Sequence, residues 1–363
     1  MEFTLNLFKF YDLGNPLERS EIIKIINKMN IKSSNMEKYH FDSDKGEPDY
    51  INYPEPITLY MTRKTKKDEE IEIVTKIFNY GALTLKTELK PKIENIKDIK
   101  KFYEEEKIIT RIENLFDKIF NLFHQSFSQD NSQKEKYTSK QNFTNLYPVY
   151  CISETGYNNV KKLIDDNEDE IAGLLLGISD HNNFSEKQIN NILKFNTRFY
   201  NKDYSIIHWN GTLAIDNEAD YDDLLFIIEI ANIQFIKLRA YDDYIGNYLS
   251  DYLDLSKNKF KRGINFFNPV SQMIKNISRI RVELEHITEM MDNFEKFFGK
   301  WYMAKIYYLA SSAFEIPRWK KIIESRLDTV DDLYTMINNE KNRKKMLFLN
   351  FLTLLLFVLW FFI

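Results

Sequence analysis

Residues 1–218 contain short segments in which apolar positions alternate with polar ones or form brief apolar runs, as β-strands do. Strands are predicted at residues 2–10, 57–63, 71–78, 82–89, 146–153, 172–179, 204–209 and 212–216. The Asn210-Gly211 step between the last two is the strongest hairpin signal in the chain. Helices are predicted after Pro16, from Ile93 to about His124 and from an N-cap at Ser185 to about Tyr200.

From residue 219 the pattern changes, because apolar residues now recur every three or four positions. Long helices are predicted at 221–255, at 269–313 and from Pro317 to the end. The apolar positions of 319–337 form a heptad-like seam, as in antiparallel or self-associating helices. We therefore predict an α+β fold: a two-part α/β body with an antiparallel sheet, then a long-helix stalk that ends in one C-terminal transmembrane helix.

Two polar segments lack periodicity and separate these regions. Residues 31–56 are predicted to form a loop, and residues 125–141 a linker or insert. The predicted organisation is therefore an N-terminal α/β unit at 1–124, the linker at 125–141, a second α/β unit at 142–218, a coiled-coil-like helical stalk at 219–345 and a membrane anchor at 346–363.

The predicted anchor is the uncharged run MLFLNFLTLLLFVLWFFI at 346–363. As a helix it is roughly 27 Å long, close to the ~30 Å hydrocarbon core of a bilayer, although a buried or interfacial helix is the alternative. Four cations precede it, Lys341, Arg343, Lys344 and Lys345, and the positive-inside bias would keep them on the cytoplasmic side. The N-terminus does not have the pattern of a secretory signal. We therefore predict a single-pass protein whose C-terminus is anchored in a lipid bilayer and whose soluble body lies in the cytoplasm.

Composition excludes some classes of function. The net charge of −4 gives no general attraction to nucleic acid, so no nucleic-acid partner is expected. A single cysteine excludes a disulfide framework within the chain. This residue, Cys151, lies in the predicted strand YPVYCIS and is expected to pack in a core.

The chain contains no Walker A loop, HExxH, GxSxG or CxxC motif. We predict no catalytic residue, no metal site, no cofactor and no identifiable small-molecule substrate. The nearest features to a site are His208 beside Trp209 and a group of acids, namely Asp216, Glu218, Asp220, Asp222 and Asp223. Each also has a structural interpretation: His208 as a sheet residue with one satisfied nitrogen, and the acids as partners of a helix N-terminus.

Three segments resemble a known family. They are IFNYGALTL at 77–85, YDDLLFIIEIANIQFIKLRAYDDYI at 221–245 and KIYYLASSAFEIPRWKKIIESRLDTVDDLYTMIN at 305–338. They are similar to the strand motif, the long helix and the C-terminal helices of the family named for "required for meiotic nuclear division". The resemblance implies a membrane-anchored α/β body that forms oligomers, and it provides no catalytic residues to carry over.

Two functional hypotheses follow. The first is a membrane-anchored, cytosol-facing, non-enzymatic scaffold or assembly protein that forms a homo-oligomer through its C-terminal helices. The alternative is a membrane-tethered enzyme or ligand sensor, with a site on the α/β body near His208 and the acids at 216–223.

Overall fold

The structure, a computed structural model, describes most of the chain. The described residues are 1–29 except 15, 56–64, 70–130 except 106, 146–177 except 158, 184–259, a few positions between 278 and 285, and 301–362. They form a mixed α+β fold with one eight-stranded sheet and a helical C-terminal region. The coarse fold prediction is therefore confirmed.

The sheet draws its strands from both predicted α/β units. Its strands are β1 (Glu2–Asp12), β2 (Ile57–Lys64), β3 (Glu70–Phe78), β4 (Ala82–Leu89), β5 (Tyr147–Ser153), β6 (Asn196–Thr197), β7 (Asp203–His208) and β8 (Gly211–Asp216). They lie in the order β2-β3-β4-β1-β5-β8-β7-β6. Neighbouring strands are antiparallel except β5 and β8, which are parallel. The first strand of the chain thus lies inside the sheet, between one strand of each unit.

Helices cover both faces of this sheet. In the described residues they are α1 (Arg19–Lys28), α2 (Ile96–Glu105), α3 (Lys107–Asp130), α4 (Val160–Asp165), α5 (Glu168–Leu176), α6 (Glu186–Ile192), α7 (Asp222–Lys259), α8 (Trp301–Ala313) and α9 (Ile316–Phe362). The long helix predicted at 221–255 is confirmed by α7. Ser185 is the N-cap of α6, as predicted, and its side chain accepts a hydrogen bond from the amide of Gln188.

Strand β1 shows why the sheet is apolar on both sides. Leu5 and Leu7 belong to a core shared with α1 to α6, whereas Phe8 and Phe10 belong to a second core shared with α7, α8 and α9. Because successive side chains of a strand point to opposite faces, a sheet covered on both faces needs apolar residues at nearly every position.

The prediction of a strand at 172–179 is wrong. The described part of this segment lies in α5 and its C-cap, Gly177. A short apolar run has no periodicity that separates a buried strand from a buried helix. The informative signal was the acidic first turn of α5, formed by Glu168, Asp169 and Glu170, which favours a helix N-terminus. The helix predicted to reach residue 200 ends earlier, and β6 follows it.

The structure describes only part of the two predicted polar segments. Residues 125–130 of the predicted linker belong to α3, because its helical hydrogen bonding continues to Asp130. Residues 131–141 lie outside the described residues, as do residues 31–55 of the predicted loop.

The predicted transmembrane helix, tail anchor and single-pass membrane localisation are wrong. In the described part of the chain, no helix is long and apolar enough to cross a membrane. The apolar run predicted as the anchor forms the described end of α9, residues 346–362, and includes the polar residues Asn350 and Thr353. The cations predicted to flank the membrane occupy α9 immediately before this end; they are Lys341, Arg343, Lys344 and Lys345.

Candidate functional site at the carboxyl edge of the sheet

Several strand ends meet at one edge of the sheet, on the side where α7 begins. The parallel strands β5 and β8 end here at Ser153 and Asp216. Strand β4 also ends here and β1 begins here, while β7 begins opposite the end of β8, with Asp203 paired to Asp216. We call this the carboxyl edge. In open α/β sheets, ligands bind beside the carboxyl ends of parallel strands, so a ligand site is expected at this edge.

A cavity of about 910 Å³ lies at the β7–β8 part of the carboxyl edge. Its lining combines acids with aromatic rings and includes Phe199, Tyr200, Asp203, Asp216, Glu218, Asp220, Tyr221, Asp223 and Tyr302. We call it the acidic cavity. Its volume is in the range of small-molecule sites.

A second cavity, of about 690 Å³, lies between the start of β1, the end of β4 and the first residues of α7. Its lining includes Asn6, Lys86, Lys90, Ser153, Tyr221 and Asp222. We call it the lysine cavity. Because Tyr221 lines both cavities, they adjoin along the carboxyl edge.

Asp203 holds one wall of the acidic cavity together. Its carboxylate accepts hydrogen bonds from the amide of Phe199 at 2.8 Å and from the hydroxyl of Tyr302 at 2.9 Å. It also accepts one from the amide of Tyr200. These bonds close the turn before β7 and attach α8 to it, so Asp203 shapes the cavity.

Asp216 is a half-buried acid of the cavity, and its Oδ1 accepts a hydrogen bond from the amide of Glu218 at 2.8 Å. Burial raises the pKa of Asp216 above its usual range. The Glu218 amide opposes this rise, whereas the negative charges of Asp203 and Asp220 add to it. The same loop contains Ala219 at φ 58°, a left-handed conformation that is strained for a residue other than glycine. A positive charge placed in the cavity would favour the ionised form of Asp216.

The structure separates His208 from the acids that were predicted to share its site. His208 pairs with Gly211 at the turn of the β7–β8 hairpin, whereas Asp203 pairs with Asp216 at the other end. At about 3.3 Å per residue, the two ends are roughly 17 Å apart. Burial lowers the pKa of His208 to about 4, and its Nδ1 accepts a hydrogen bond from the amide of Asn210 at 3.3 Å. The structural interpretation of His208 is thus the one that its surroundings support.

Trp209 also lies away from the acidic cavity. Its side chain is 55% exposed and lines a smaller cavity of about 240 Å³, together with Tyr147 and Arg239. Of the acids grouped in the sequence, Asp222 lines the lysine cavity and the others line the acidic cavity. No group of three or more His, Cys, Asp or Glu side chains that could hold a metal ion occurs among the described residues.

Sequence reasoning missed Asp203 and Tyr302, two residues that shape the acidic cavity. The sequence does contain a signal for Asp203. The Asn210-Gly211 turn fixes the hairpin register, and this register places Asp203 opposite Asp216. No local sequence signal indicates Tyr302, because it is 99 residues from Asp203 and reaches the cavity through the packing of α8.

The comparisons with known proteins point to one family. The family described as "Uncharacterized protein MJ0711, N-terminal domain" matches residues 3–222, from β1 to the first residue of α7. The Uncharacterized protein MJ0711 of Methanocaldococcus jannaschii is 24% identical over 285 residues, which cover 78% of this chain and 79% of that protein. No solved structure matches the chain.

These matches overturn the resemblance to the "required for meiotic nuclear division" family. The segments that suggested it at 221–245 and 305–338 are apolar helical patterns, and such patterns occur in many unrelated helices that pack on a sheet. They also lie almost wholly outside the part of the chain that the family model matches.

Proposed function

The chain belongs to the family of the MJ0711 N-terminal domain, and we propose that it is a ligand-binding protein whose acidic cavity holds a small organic cation. The observation that supports this proposal is the joint lining of one cavity of about 910 Å³ by acids and tyrosines. The proposal keeps the predicted site at residues 216–223 but excludes His208 from it.

The charges of the lining favour a cation. Five acids line the acidic cavity, Asp203, Asp216, Glu218, Asp220 and Asp223, and Lys202 is the one basic residue among its described lining residues. Acids that line a concave site of low dielectric produce a focused negative potential. A positively charged ligand would therefore be attracted to this part of the carboxyl edge.

The aromatic rings favour an organic cation. Tyr200, Tyr221 and Tyr302 line the cavity beside the acids, and the ring of Phe199 lies 5.2 Å from that of Tyr302. Aromatic faces attract ammonium groups and also provide an apolar surface for an organic body. An amine with a hydrocarbon part would use both kinds of contact.

The test is direct binding to the full chain. Isothermal titration calorimetry is carried out with benzylamine, choline and spermidine on the wild type, on Asp216→Asn and on Asp166→Asn. Asp166 is an exposed acid outside the cavity and serves as the matched control. At least one of these cations should bind, and Asp216→Asn should weaken its binding at least about tenfold because a desolvated ion pair is lost.

Asp166→Asn should bind like the wild type. Binding of none of the three cations, or equal affinity in wild type and Asp216→Asn, would refute the proposal. Binding should also weaken as the pH is lowered into the acid range, because burial raises the pKa of Asp216 and protonation removes its charge.

A second candidate function, assembly of several copies of this chain, is favoured by the end of α9. The large apolar side chains from Met346 to Trp360 are 45–74% exposed. Monomeric proteins rarely expose so long an apolar surface, and a helix that is apolar all round needs partners on several sides. We propose that the same segment of other copies covers it, in an assembly of more than two chains.

Light scattering on the full chain tests this second proposal. The wild type should form a single species of defined mass, and the double variant Leu352→Lys, Leu355→Lys should dissociate. Met336→Lys, on the preceding exposed part of α9, is the matched control and should assemble normally. A single-chain mass at all concentrations, or a polydisperse mixture, would refute it.

A further inference from the structure

Lys86 is an unusual lysine of the sheet because its ammonium group has no carboxylate partner. It lies on β4 opposite Phe8, and its Nζ lies 5.6 Å from the centroid of the Phe8 ring. Within the described part of the chain it forms no hydrogen bond or ion pair. Three other lysines with little exposed surface are each ion-paired, namely Lys9 and Lys76 of the sheet and Lys237 of α7. The amine of Lys86 is therefore available to the lysine cavity that it lines.

A second group in this cavity also lacks a partner. Asn6 is 2% exposed, and its Nδ2 donates to the Sγ of Cys151 at 3.5 Å. Its Oδ1 has no hydrogen-bond partner among the described residues. A buried acceptor without a donor is costly, so a ligand hydroxyl that reached this oxygen would be favoured.

Strand register places these two groups near each other. Asn6 pairs with Glu88 and Phe8 pairs with Lys86, so Asn6 and Lys86 are diagonal neighbours on the same face of the sheet. Diagonal neighbours have Cα atoms about 7–8 Å apart. A molecule of two or three carbons could therefore contact both the amine and the amide oxygen.

The surroundings of Lys86 also favour its neutral form. Burial lowers the pKa of Lys86, and the charge of Lys76 adds to this, whereas Glu229, Glu88 and Cys151 oppose it without reversing the direction. Lys90, at the same cavity, differs because its hydrogen bond to Glu88 raises its pKa. Only a neutral amine can act as a nucleophile.

We propose that the lysine cavity binds a small hydroxyl-bearing aldehyde and that Lys86 forms an imine with it. The nitrogen lone pair of the neutral amine forms a bond to the carbonyl carbon, and the π electrons of the C=O bond move to oxygen. Two protons pass from nitrogen to this oxygen, which leaves as water as the C=N bond forms. The Oδ1 of Asn6 accepts the hydrogen bond of the ligand hydroxyl. This site is separate from the acidic cavity, and neither proposal depends on the other.

Reductive trapping on the wild-type full chain tests the proposal. The protein is incubated at pH 7 with glycolaldehyde and sodium cyanoborohydride, which reduces the imine to a stable secondary amine. It is then digested with a protease that does not cleave at lysine, and adducts are quantified by mass spectrometry. Lys86 should be modified at least about fivefold faster than Lys90 and Lys92, which line the same cavity. Equal or slower modification of Lys86 would overturn the proposal.

Two further measurements separate a binding site from a merely reactive amine. The rate at Lys86 should saturate with glycolaldehyde concentration, whereas the rate at Lys90 should rise linearly; a linear rise at both would overturn the proposal. Asn6→Val should slow trapping of glycolaldehyde at least about threefold but leave propionaldehyde, which has no hydroxyl, unchanged. Asn114→Val, at an exposed amide on α3, is the control and should change neither rate. Equal effects of Asn6→Val on both aldehydes would contradict the role of Asn6.

Discussion

Lys237 and Asp12 form a buried ion pair between α7 and the end of β1, with the Nζ of Lys237 2.9 Å from the Oδ1 of Asp12. The same ammonium donates a hydrogen bond to the carbonyl oxygen of Gly14 at 2.8 Å. The two side chains are 1% and 8% exposed. Because both charges are removed from water, the pair fixes one position of α7 on the sheet.

Replacing Lys237 by methionine should lower the free energy of unfolding by about 3 kcal/mol, since the buried charge of Asp12 would lose its partner. Urea denaturation measures the change. The control is Arg318→Met, which removes the exposed pair between Arg318 and Glu315 and should cost less than about 1 kcal/mol. Similar losses in the two variants would contradict a special role for the buried pair.

The parts of the fold that sequence reasoning predicted depend on neighbours in sequence. The alternation in β1 and the Asn210-Gly211 turn are local, and the structure has both the strand and the hairpin. The ion pair between Asp12 and Lys237 joins residues 225 positions apart, and no local pattern indicates it. The position of β1 between β4 and β5 is likewise a result of tertiary packing.

The candidate site was predicted only in part for the same reason. The acids at 216–223 were recognisable because they are contiguous, but the cavity also needs Asp203 and Tyr302 from other elements. The sequence pattern does not distinguish Lys86, because a lysine in an alternating strand is expected at a solvated position. Lys86 lines a cavity only because the first residues of α7 cover that face of β4 and help to enclose the lysine cavity.

His208 should make the stability of the protein sensitive to mild acid. Its pKa in the folded protein is about 4, because burial disfavours the charged ring, whereas an unfolded histidine titrates near its ordinary value of about 6.5. Between these values the unfolded chain binds the proton and the folded chain does not. The stability that neutral His208 contributes is therefore fully present above pH 6.5 and is lost as the pH falls towards 4.

The variant His208→Gln should lack this part of the pH dependence. Urea midpoints are measured for both proteins from pH 7 to pH 4, so that the titration of carboxylates common to both cancels in the difference. The wild type should lose stability relative to the variant across the window from 6.5 to 4. Parallel curves would show that His208 is not buried as described.

Cys151 should be inert in the folded protein. The side chain is 1% exposed, and burial raises the pKa of its thiol to about 12, so the reactive thiolate is suppressed. This agrees with the prediction that it is a core residue of a strand. Ellman's reagent should detect no thiol in the native protein at pH 8 and one thiol per chain after unfolding in urea. Rapid reaction of the native protein would contradict the packing of β5.

The apolar seam predicted in the last helix packs largely against other helices of the same chain. Ile323, Leu327 and Val330 are 0–2% exposed and belong to the core formed with α7 and α8. Leu327→Ala should therefore lower the free energy of unfolding by about 3 kcal/mol. Met336→Ala, at a side chain that is 66% exposed on the same helix, is the control and should change it by roughly 0.5 kcal/mol or less.

Protein concentration distinguishes this packing from a seam between copies. If Leu327 packs within its own chain, the loss caused by Leu327→Ala should be the same at micromolar and at tenfold higher protein concentration, as measured by urea denaturation. If Leu327 instead packed between chains, the measured stability would rise with concentration and the loss would change with it. Assembly through the exposed end of α9 would itself make the measured stability depend on concentration. The comparison is therefore made in the double variant Leu352→Lys, Leu355→Lys, which should not assemble, so that any remaining concentration dependence reports on Leu327.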